Sequence, residues 1–473
     1  MTRSGFVRAI SVALCSAATL ALCTTTTQAQ KTTERDSYLW NNRPPDPRFK
    51  ADILLVVAHP DDEAMVTAFL AREIYDHHKR VAVVYGTHGD GSNNYVGPEM
   101  SMAMGDIREI EARGAVGSLG ITNVWFLTGH DTLSQNVLNS LENWGDGACL
   151  DELVRIVRLT RPTVILTMLP DFVTGENHDD HQAAGVLATE AFDLAGNPIA
   201  FPEEVSPPDN PDKNMNLTDG LRPWQPEKLY YFDNPSYDIF KGQGPQYSSI
   251  EMSPSRHVSY GMLAAEAYTH HRTQGGAVTA EDIRHQTLAT ANDEGATLAM
   301  QPVKLIFGKS MVPSGVTDDV FAGVVPDGVP YQQPAGYIPV HYAEPTLHIG
   351  DPWNFYHEFW QAHGLEHLNN LVPLEISVKV GGGLMIPLIV NNPLDRPVPV
   401  SLSVQAPDGW KVEPTAPATV EAHSAYFLRV RVVAPDTELP GWQHFMVTGR
   451  SGDETIGTVA IRAQLSTGWV APQ

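Results

Sequence analysis

Residues 53–63 read Ile-Leu-Leu-Val-Val-Ala-His-Pro-Asp-Asp-Glu, an apolar run that ends abruptly in a histidine, a proline and three acids. A continuous apolar run predicts a strand that is buried on both faces, as in a parallel sheet. The polar residues that follow it would lie at the carboxyl edge of that strand, where open α/β sheets bind ligands. The stretch therefore predicts an α/β fold with a functional site at the end of its first strand.

Comparable apolar runs follow at residues 81–85, 124–127 and 164–167. Between them, residues 150–157 place leucine and valine at i, i+3, i+4 and i+7, which indicates one face of a helix. Strands that alternate with helices favour a parallel sheet with right-handed crossovers. We therefore predict a Rossmann-like, mainly parallel sheet with flanking helices, within an α/β domain over residues 30–310. Residues 195–225 are rich in proline, asparagine and aspartate and are predicted to be a long loop near the site.

After about residue 371 the pattern changes to short β-prone runs separated by turn signals such as Asn391-Asn392-Pro393. This pattern predicts a C-terminal all-β, immunoglobulin-like sandwich domain over residues 371–473, joined by a loop-rich connecting region at 311–370. Trp410, Trp442 and Trp469 could stack on sugar rings. Packing in the core or at an interface is the favoured interpretation, because sandwich cores commonly contain tryptophan.

The composition limits the partners. The chain has 473 residues, a formal net charge of −24 and a pI near 5.0. This length favours more than one domain, and the negative charge argues against nucleic acid or an anionic membrane surface as a partner. The sequence leaves the oligomeric state open.

Residues 1–29 resemble a secretory signal peptide. Arg3 and Arg8 precede an apolar stretch over residues 9–22, and Thr27-Gln28-Ala29 resembles a cleavage site. We therefore expect a secreted or periplasmic protein whose mature chain has no transmembrane span. An uncleaved anchor and a lipoprotein modified at Cys23 are the alternatives.

Cysteine supplies neither a disulfide nor a metal site in the predicted mature chain. Two of the three cysteines lie in the predicted signal peptide, which leaves Cys149 alone. A single cysteine forms no intramolecular disulfide and no thiolate cluster.

The chemistry is concentrated in the 53–63 stretch and in a later His-Asp-Asp-His segment at residues 178–181. His59, Asp62 and His181 could supply the three ligands of a catalytic zinc. Asp61 could then act as general base, and His178 could stabilise an oxyanion or protonate a leaving group. The alternative is that these acids only cap the helix that begins near Glu63. The joint occurrence of so many polar groups at a buried strand end favours a functional site.

These residues resemble the motifs of the PIG-L/LmbE-like family of zinc-dependent de-N-acetylases. The resemblance covers about residues 50–305. It is based on Ala58-His59-Pro60-Asp61-Asp62-Glu63, Thr87-His88-Gly89-Asp90, Arg108 with Glu111-Ala112 and Leu119-Gly120, Asp131, His178-Asp179-Asp180-His181, and His271-Arg272-Thr273-Gln274.

The resemblance implies a role for each matching residue. His59, Asp62 and His181 would bind Zn²⁺, although a His/Asp/His set accepts other divalent metals. Asp61 would be the general base, His178 would assist the tetrahedral intermediate, and Asp180 would orient His178. Arg108 and Asp131 would lie near the sugar or the histidine. Two residues depart from the family pattern, Asp179 in place of proline and Asp90 in place of glutamate.

The activity implied is removal of N-acetyl groups from N-acetylglucosamine-type sugars or glycoconjugates by attack of a zinc-bound water. One alternative is a deacylase or amidase that acts on another N-acylated small molecule. A second alternative is a non-catalytic, metal-containing carbohydrate-binding protein, which the presence of Asp61 beside the three ligands disfavours.

Overall fold

The structure is a computed structural model that describes residues 45–132, 134, 136–145, 147–171, 178–206, 220–233, 240–275, 299–326, 328–333, 342–350, 352–369, 371 and 374–466. The predicted signal peptide and Trp469 lie outside these residues. No helix in the described part of the chain is long and apolar enough to cross a membrane.

The first sheet has six strands in the order β3-β2-β1-β4-β5-β8. Its strands are β1 (Ile53–Val57), β2 (Val81–Thr87), β3 (Asn123–Gly129), β4 (Val164–Met168), β5 (Lys228–Phe232) and β8 (Ile306–Ser310), and β6 (Gln246–Tyr247) pairs with β7 (Val303–Lys304) in a separate ribbon. The pairs among β1 to β5 are parallel, and β8 is antiparallel to β5. The predicted α/β class with a mainly parallel sheet is therefore confirmed.

The helices are α1 (Thr67–Tyr75), α2 (Met102–Ser118), α3 (Val137–Asn143), α4 (Ala148–Thr160), α5 (Asp179–Leu194), α6 (Pro202–Val205), α7 (Tyr260–Tyr268) and α8 (Pro352–Ala362). The predicted apolar helix face lies in α4, where Leu153, Val154 and Val157 are fully buried. Every residue of β1 and β4 is buried as well, as the unbroken apolar runs predict.

The strand order contains a reversal between β1 and β4. From β1 the chain continues to β2 on one side, whereas from β4 it continues to β5 on the other. Such a reversal leaves a crevice at the carboxyl ends of the two central strands. The turn after β1 and the N-terminus of α5 both lie at this end of the sheet.

The C-terminal part contains two further sheets, with strand orders β10-β17-β16-β12-β14 and β13-β15-β11-β9. The strands are β9 (Thr346–Ile349), β10 (Glu375–Lys379), β11 (Gly383–Asn392), β12 (Val398–Gln405), β13 (Lys411–Val412), β14 (Ala418–Val420), β15 (Ser424–Val433), β16 (Trp442–Ser451) and β17 (Glu454–Ser466). Side chains from both sheets form one hydrophobic cluster that includes Leu388, Val430, Val447 and Ile461. Additional C-terminal β-sheets are therefore present, as expected.

One detail differs from the sequence expectation for this part, and one agrees with it. The segment 311–370, predicted to be a loop-rich connection, contains β9 and α8, and β9 pairs with β11. Trp410 lies in the shared core, with its ring 4.7 Å from that of Phe445. The side chain of Trp442 instead packs under the guanidinium of Arg462 at 4.5 Å.

The described residues divide into two units, of which the first comprises residues 45–48, 198–206 and 220–223. In the first unit, the described residues include α6, and Leu221 N–H donates a hydrogen bond to the Glu204 carbonyl. The second unit contains the sheets described above. The domain limits given by the sequence analysis remain predictions.

Candidate active site

The turn after β1 directs two consecutive carboxylates differently. Asp61 has a φ of 117°, which is rare for a residue other than glycine. Asp62 begins a 3₁₀ turn over Asp62–Met65, and its Oδ2 accepts a hydrogen bond from the His59 backbone N–H at 2.6 Å. A strained backbone at such a position is a mark of functional sites.

The Asp62 carboxylate lies between the two predicted histidine ligands and contacts both. Its Oδ1 lies 3.1 Å from His181 Nε2 and its Oδ2 lies 3.4 Å from His59 Nδ1. All three side chains are buried. Burial alone would raise the pKa of the Asp62 carboxyl, but the two imidazoles hold that pKa well below its ordinary value. The structure therefore brings the three predicted ligands together, two from the β1 turn and His181 from the first turn of α5.

The far side of the His59 ring faces two other predicted site residues. His59 Nε2 lies 3.3 Å from Asp180 Oδ2 and 3.7 Å from Asp131 Oδ1. The family resemblance implied that Asp180 orients His178, whereas in the structure its carboxylate contacts His59 and accepts from the Thr132 N–H at 2.7 Å. A carboxylate oxygen of Asp180 also lies within 4.8 Å of a ring nitrogen of His178, so the predicted orienting role of Asp180 stays a prediction.

Asp61 is held by a buried arginine. Arg108 Nη2 donates to Asp61 Oδ1 at 2.9 Å and also to the Pro60 carbonyl. Burial raises the pKa of the Asp61 carboxyl to about 6, while the Arg108 guanidinium opposes the rise. Asp131 is likewise tethered, because its carboxylate accepts from Thr87 Oγ1 at 2.5 Å and from the Gly91 N–H at 2.8 Å.

His178 and Asp179 begin helix α5. The ring of His178 lies 3.9 Å from that of His181, and about a third of its side chain is exposed. Burial lowers the pKa of the His178 imidazole. The neighbouring Asp179 is fully buried, and its nearest ion pair is with His178 Nδ1 at 3.7 Å. The departure from the family pattern at residue 179 thus places an acid beside His178.

A network around Glu63 was not anticipated from the sequence. Glu63 Oε2 accepts from the Asp61 N–H and from the Tyr85 hydroxyl, each at 3.0 Å. Its Oε1 lies 2.5 Å from Nε2 of His271, which is completely buried. The only available signal was the family-like segment at 271–274, since the pair His270-His271 alone looks incidental.

All eight predicted site residues line one cleft of about 370 Å³. They are His59, Asp61, Asp62, Arg108, Asp131, His178, Asp180 and His181. Gly91, Ser92, Asn93, Tyr95, Thr132 and Gln274 complete the described lining.

The donor atoms in this cleft fit a divalent metal. Ligand atoms of His59, His178 and His181 lie within 4.8 Å of one another, as do those of His59, Asp131 and Asp180. His181 Nδ1 and Asp180 Oδ1 are buried without a hydrogen-bond partner in the described part of the chain. Imidazole nitrogens with carboxylate oxygens are ligands that zinc accepts.

Fold and cleft together define an α/β protein with a site able to hold a metal at the strand reversal of a parallel sheet. Residues 54–192 match the family model described as PIG-L, GlcNAc-PI de-N-acetylase. This match agrees with the family resemblance that the sequence motifs show.

The curated relatives that match the chain include two that are both named 1D-myo-inositol 2-acetamido-2-deoxy-alpha-D-glucopyranoside deacetylase. The protein of Streptomyces scabiei is 33% identical over 182 residues, which cover 35% of this chain and 56% of that protein. The protein of Streptomyces avermitilis is 32% identical over 170 residues, covering 33% and 57%. The chain thus spans little more than half the length of these relatives.

Among solved structures, the conserved protein TT1542 of Thermus thermophilus aligns with a TM-score of 0.35 and 18% identity. This alignment covers 57% of this chain and 100% of that one.

Proposed function

We propose that this protein is a metal-dependent de-N-acetylase that hydrolyses the acetamide of N-acetylglucosamine-type sugars or glycoconjugates. The observation that carries the proposal is the convergence of His59, Asp62 and His181 with Asp61 in one cleft. Further support comes from the match to the PIG-L family model and from the deacetylase names of its relatives. We also propose that the protein is secreted or periplasmic, and that its C-terminal sheets form an immunoglobulin-like sandwich.

His59, Asp62 and His181 would hold zinc or another divalent cation. When bound, such a metal polarises a carbonyl and lowers the pKa of a water molecule. Asp180 and Asp131 lie against the opposite nitrogen of His59, and this contact fixes the tautomer and the direction of its ring.

Asp61 is the general base in this proposal. Its carboxylate lines the cleft, and Arg108 holds it in one orientation. It accepts a proton from the attacking water and passes it to the departing amine. His178, at the partly exposed edge of the cluster, donates a hydrogen bond to the negative oxygen that develops on the carbonyl.

The test is acetate release from a panel of N-acetylated sugars by the purified protein, together with its metal content. Asp61→Asn should lower turnover by about 1,000-fold while metal remains bound. Exposed Asp106 on α2 offers a matched control, and Asp106→Asn should behave as the native chain. Full turnover by Asp61→Asn would exclude the assigned base. No release from any sugar by the metal-loaded native protein would reject the proposed activity.

A further inference from the structure

Tyr95 is a large aromatic side chain that lies exposed at the border of the cleft. Its exposed fraction is 71%, yet it lines the same cleft as His59 and His181. The other described residues around this cleft are polar or glycine. Tyr95 therefore supplies the one aromatic ring, apart from the imidazoles, in the described lining.

The backbone around Tyr95 is fixed by hydrogen bonds. Tyr95 N–H donates to the Thr273 carbonyl at 3.0 Å, and Gln274 Nε2 donates to the Asn93 carbonyl at 2.9 Å. On the other side, Asn94 Oδ1 accepts from the N–H groups of Val96 and Gly97 at 3.0 and 2.9 Å. An exposed ring on a tethered backbone loses little entropy on binding, as in rigid aromatic anchors of binding sites.

The chemistry of the cleft divides between polar groups and this ring. Carboxylates, imidazoles and a guanidinium line the deep part, and they match the acetamide and hydroxyl edges of a sugar. A pyranose ring also has an apolar face of C–H groups. Aromatic side chains provide an apolar surface for such a face. Tyr95 is positioned to contact a part of the substrate outside the polar cluster.

We infer that Tyr95 is a specificity-determining residue that stacks on a second sugar ring, so that the substrate is an N-acetylated oligosaccharide or glycan terminus. This inference rests on the proposed function. A free monosaccharide would use only the polar part of the cleft. A disaccharide would use both parts and would be the better substrate.

The experiment compares acetate release from N-acetylglucosamine, from its β-1,4-linked disaccharide and from octyl N-acetylglucosaminide. Tyr95→Ala should lower kcat/KM for the disaccharide about tenfold more than for the monosaccharide, mainly through KM. Tyr95→Phe should retain the preference, because stacking needs the ring and not the hydroxyl. Tyr426→Ala, at an exposed tyrosine of β15, is the matched control and should leave kcat/KM unchanged for the disaccharide and for the monosaccharide.

Binding of the disaccharide to Asp61→Asn, measured by calorimetry with and without Tyr95→Ala, separates this inference from the proposed activity. Absence of turnover rejects the activity, whereas a weaker disaccharide affinity in the double variant still supports stacking. Equal losses for all three sugars, or a loss in Tyr95→Phe as large as in Tyr95→Ala, would overturn the inference. A selective loss for the octyl glycoside would overturn it in favour of an apolar aglycone.

Discussion

Arg108 forms hydrogen bonds to the two loops that border the cleft, the turn after β1 and the loop after β2. Its Nη1 donates to the Gly89 carbonyl at 3.1 Å and to Ser92 Oγ at 2.5 Å, while Nη2 reaches Asp61 and Pro60. A planar guanidinium presents its donors in a fixed fork, whereas a lysine ammonium is a compact charge on a flexible stem. Arg108 is almost completely buried, so we assign its main effect to the orientation of Asp61.

Arg108→Lys should lower kcat/KM for acetate release by about 100-fold. The reason is that lysine keeps the charge but cannot hold Asp61 and the Pro60 carbonyl together. The measurement is steady-state kinetics with metal content determined in parallel. Arg113→Lys, on the same helix but half-exposed, should have little effect. Native kinetics for Arg108→Lys would contradict this role.

The buried pair of Glu63 and His271 should contribute to stability. Burial lowers the pKa of the His271 imidazole, but the Glu63 carboxylate outweighs it and the net pKa is raised. His271→Ala leaves a buried carboxylate unpaired, so the free energy of unfolding in urea should fall by about 3 kcal/mol. The exposed neighbour His270 provides the control, and His270→Ala should change the free energy of unfolding by less than about 0.5 kcal/mol. Similar losses of unfolding free energy in His271→Ala and His270→Ala would contradict the stabilising role of the Glu63–His271 pair.

Glu73 on α1 should make stability depend on pH. Burial raises the pKa of its carboxyl from 4.5 to about 7, although Arg72 opposes the rise. Because the folded chain binds this proton more tightly than the unfolded chain, the stabilisation is complete below pH 4.5 and is lost as the pH rises through 7. The loss is on the order of 3 kcal/mol.

Glu73→Gln should therefore gain stability relative to the native chain as the pH increases over this interval. Urea unfolding at several pH values measures the difference. The exposed Glu142 of α3 is a suitable control, and Glu142→Gln should show no such trend. A constant difference between Glu73→Gln and the native chain would refute the prediction.

At the scale of elements, α5 packs closely against the end of β4. A Cβ added at Gly185 would lie 2.3 Å from the Met168 carbonyl oxygen and 2.8 Å from Pro170 N. Backbone atoms cannot move aside as a flexible side chain can. Glycine at this position therefore lets α5 approach the strand end and carry Asp180 and His181 into the cleft.

Gly185→Ala should lower the free energy of unfolding by about 2 kcal/mol, as other overpacked sites do. It should also weaken metal binding, because the helix that carries His181 must shift outward. Gly117→Ala in α2 is the matched control, since a Cβ there meets nothing within 4 Å. That change should be neutral or stabilise the chain by up to about 1 kcal/mol. Chelator competition and thermal unfolding test both expectations.

At the scale of the whole molecule, α8 packs against α5, the helix that carries His181. The Tyr356 hydroxyl of α8 donates to Gln182 Oε1, directly after His181 in the chain. The Trp360 ring meets that of Tyr231 at 6.0 Å, and His363 Nδ1 lies 2.8 Å from Asp193 Oδ2 at the other end of α5. Because β9, just before α8, pairs with β11, this contact links the C-terminal sheets to the helix that carries His181.

Tyr356→Ala should therefore affect both folding and the site. We expect a loss of about 3 kcal/mol in the free energy of unfolding, because a large buried ring is removed. Metal affinity should fall about tenfold. Tyr356→Phe, which keeps the ring, should restore most of the stability. Unchanged metal affinity in Tyr356→Ala would show that α8 does not support the site.

The α/β class and the polar cluster after β1 could be predicted because their signals are local, whereas Arg108, Asp131 and Asp180 were indicated only by the family resemblance. An apolar run that is buried on both faces, and a polar cluster directly after it, both follow from adjacent residues such as Val57 and His59. The pairing of β9 with β11 could not be predicted in the same way, because it depends on contacts about 40 residues apart in sequence.

Sequence patterns alone thus indicated which residues could do chemistry and at which edge of the sheet they would lie. Tertiary structure alone decided their partners: Asp180 contacts His59, and His271 meets Glu63 across 208 positions. It also decided that Tyr95 lines the cleft and that Tyr356 reaches Gln182. The physical reason is that side-chain direction and long-range packing depend on how whole elements dock, which residue identity and spacing do not encode locally.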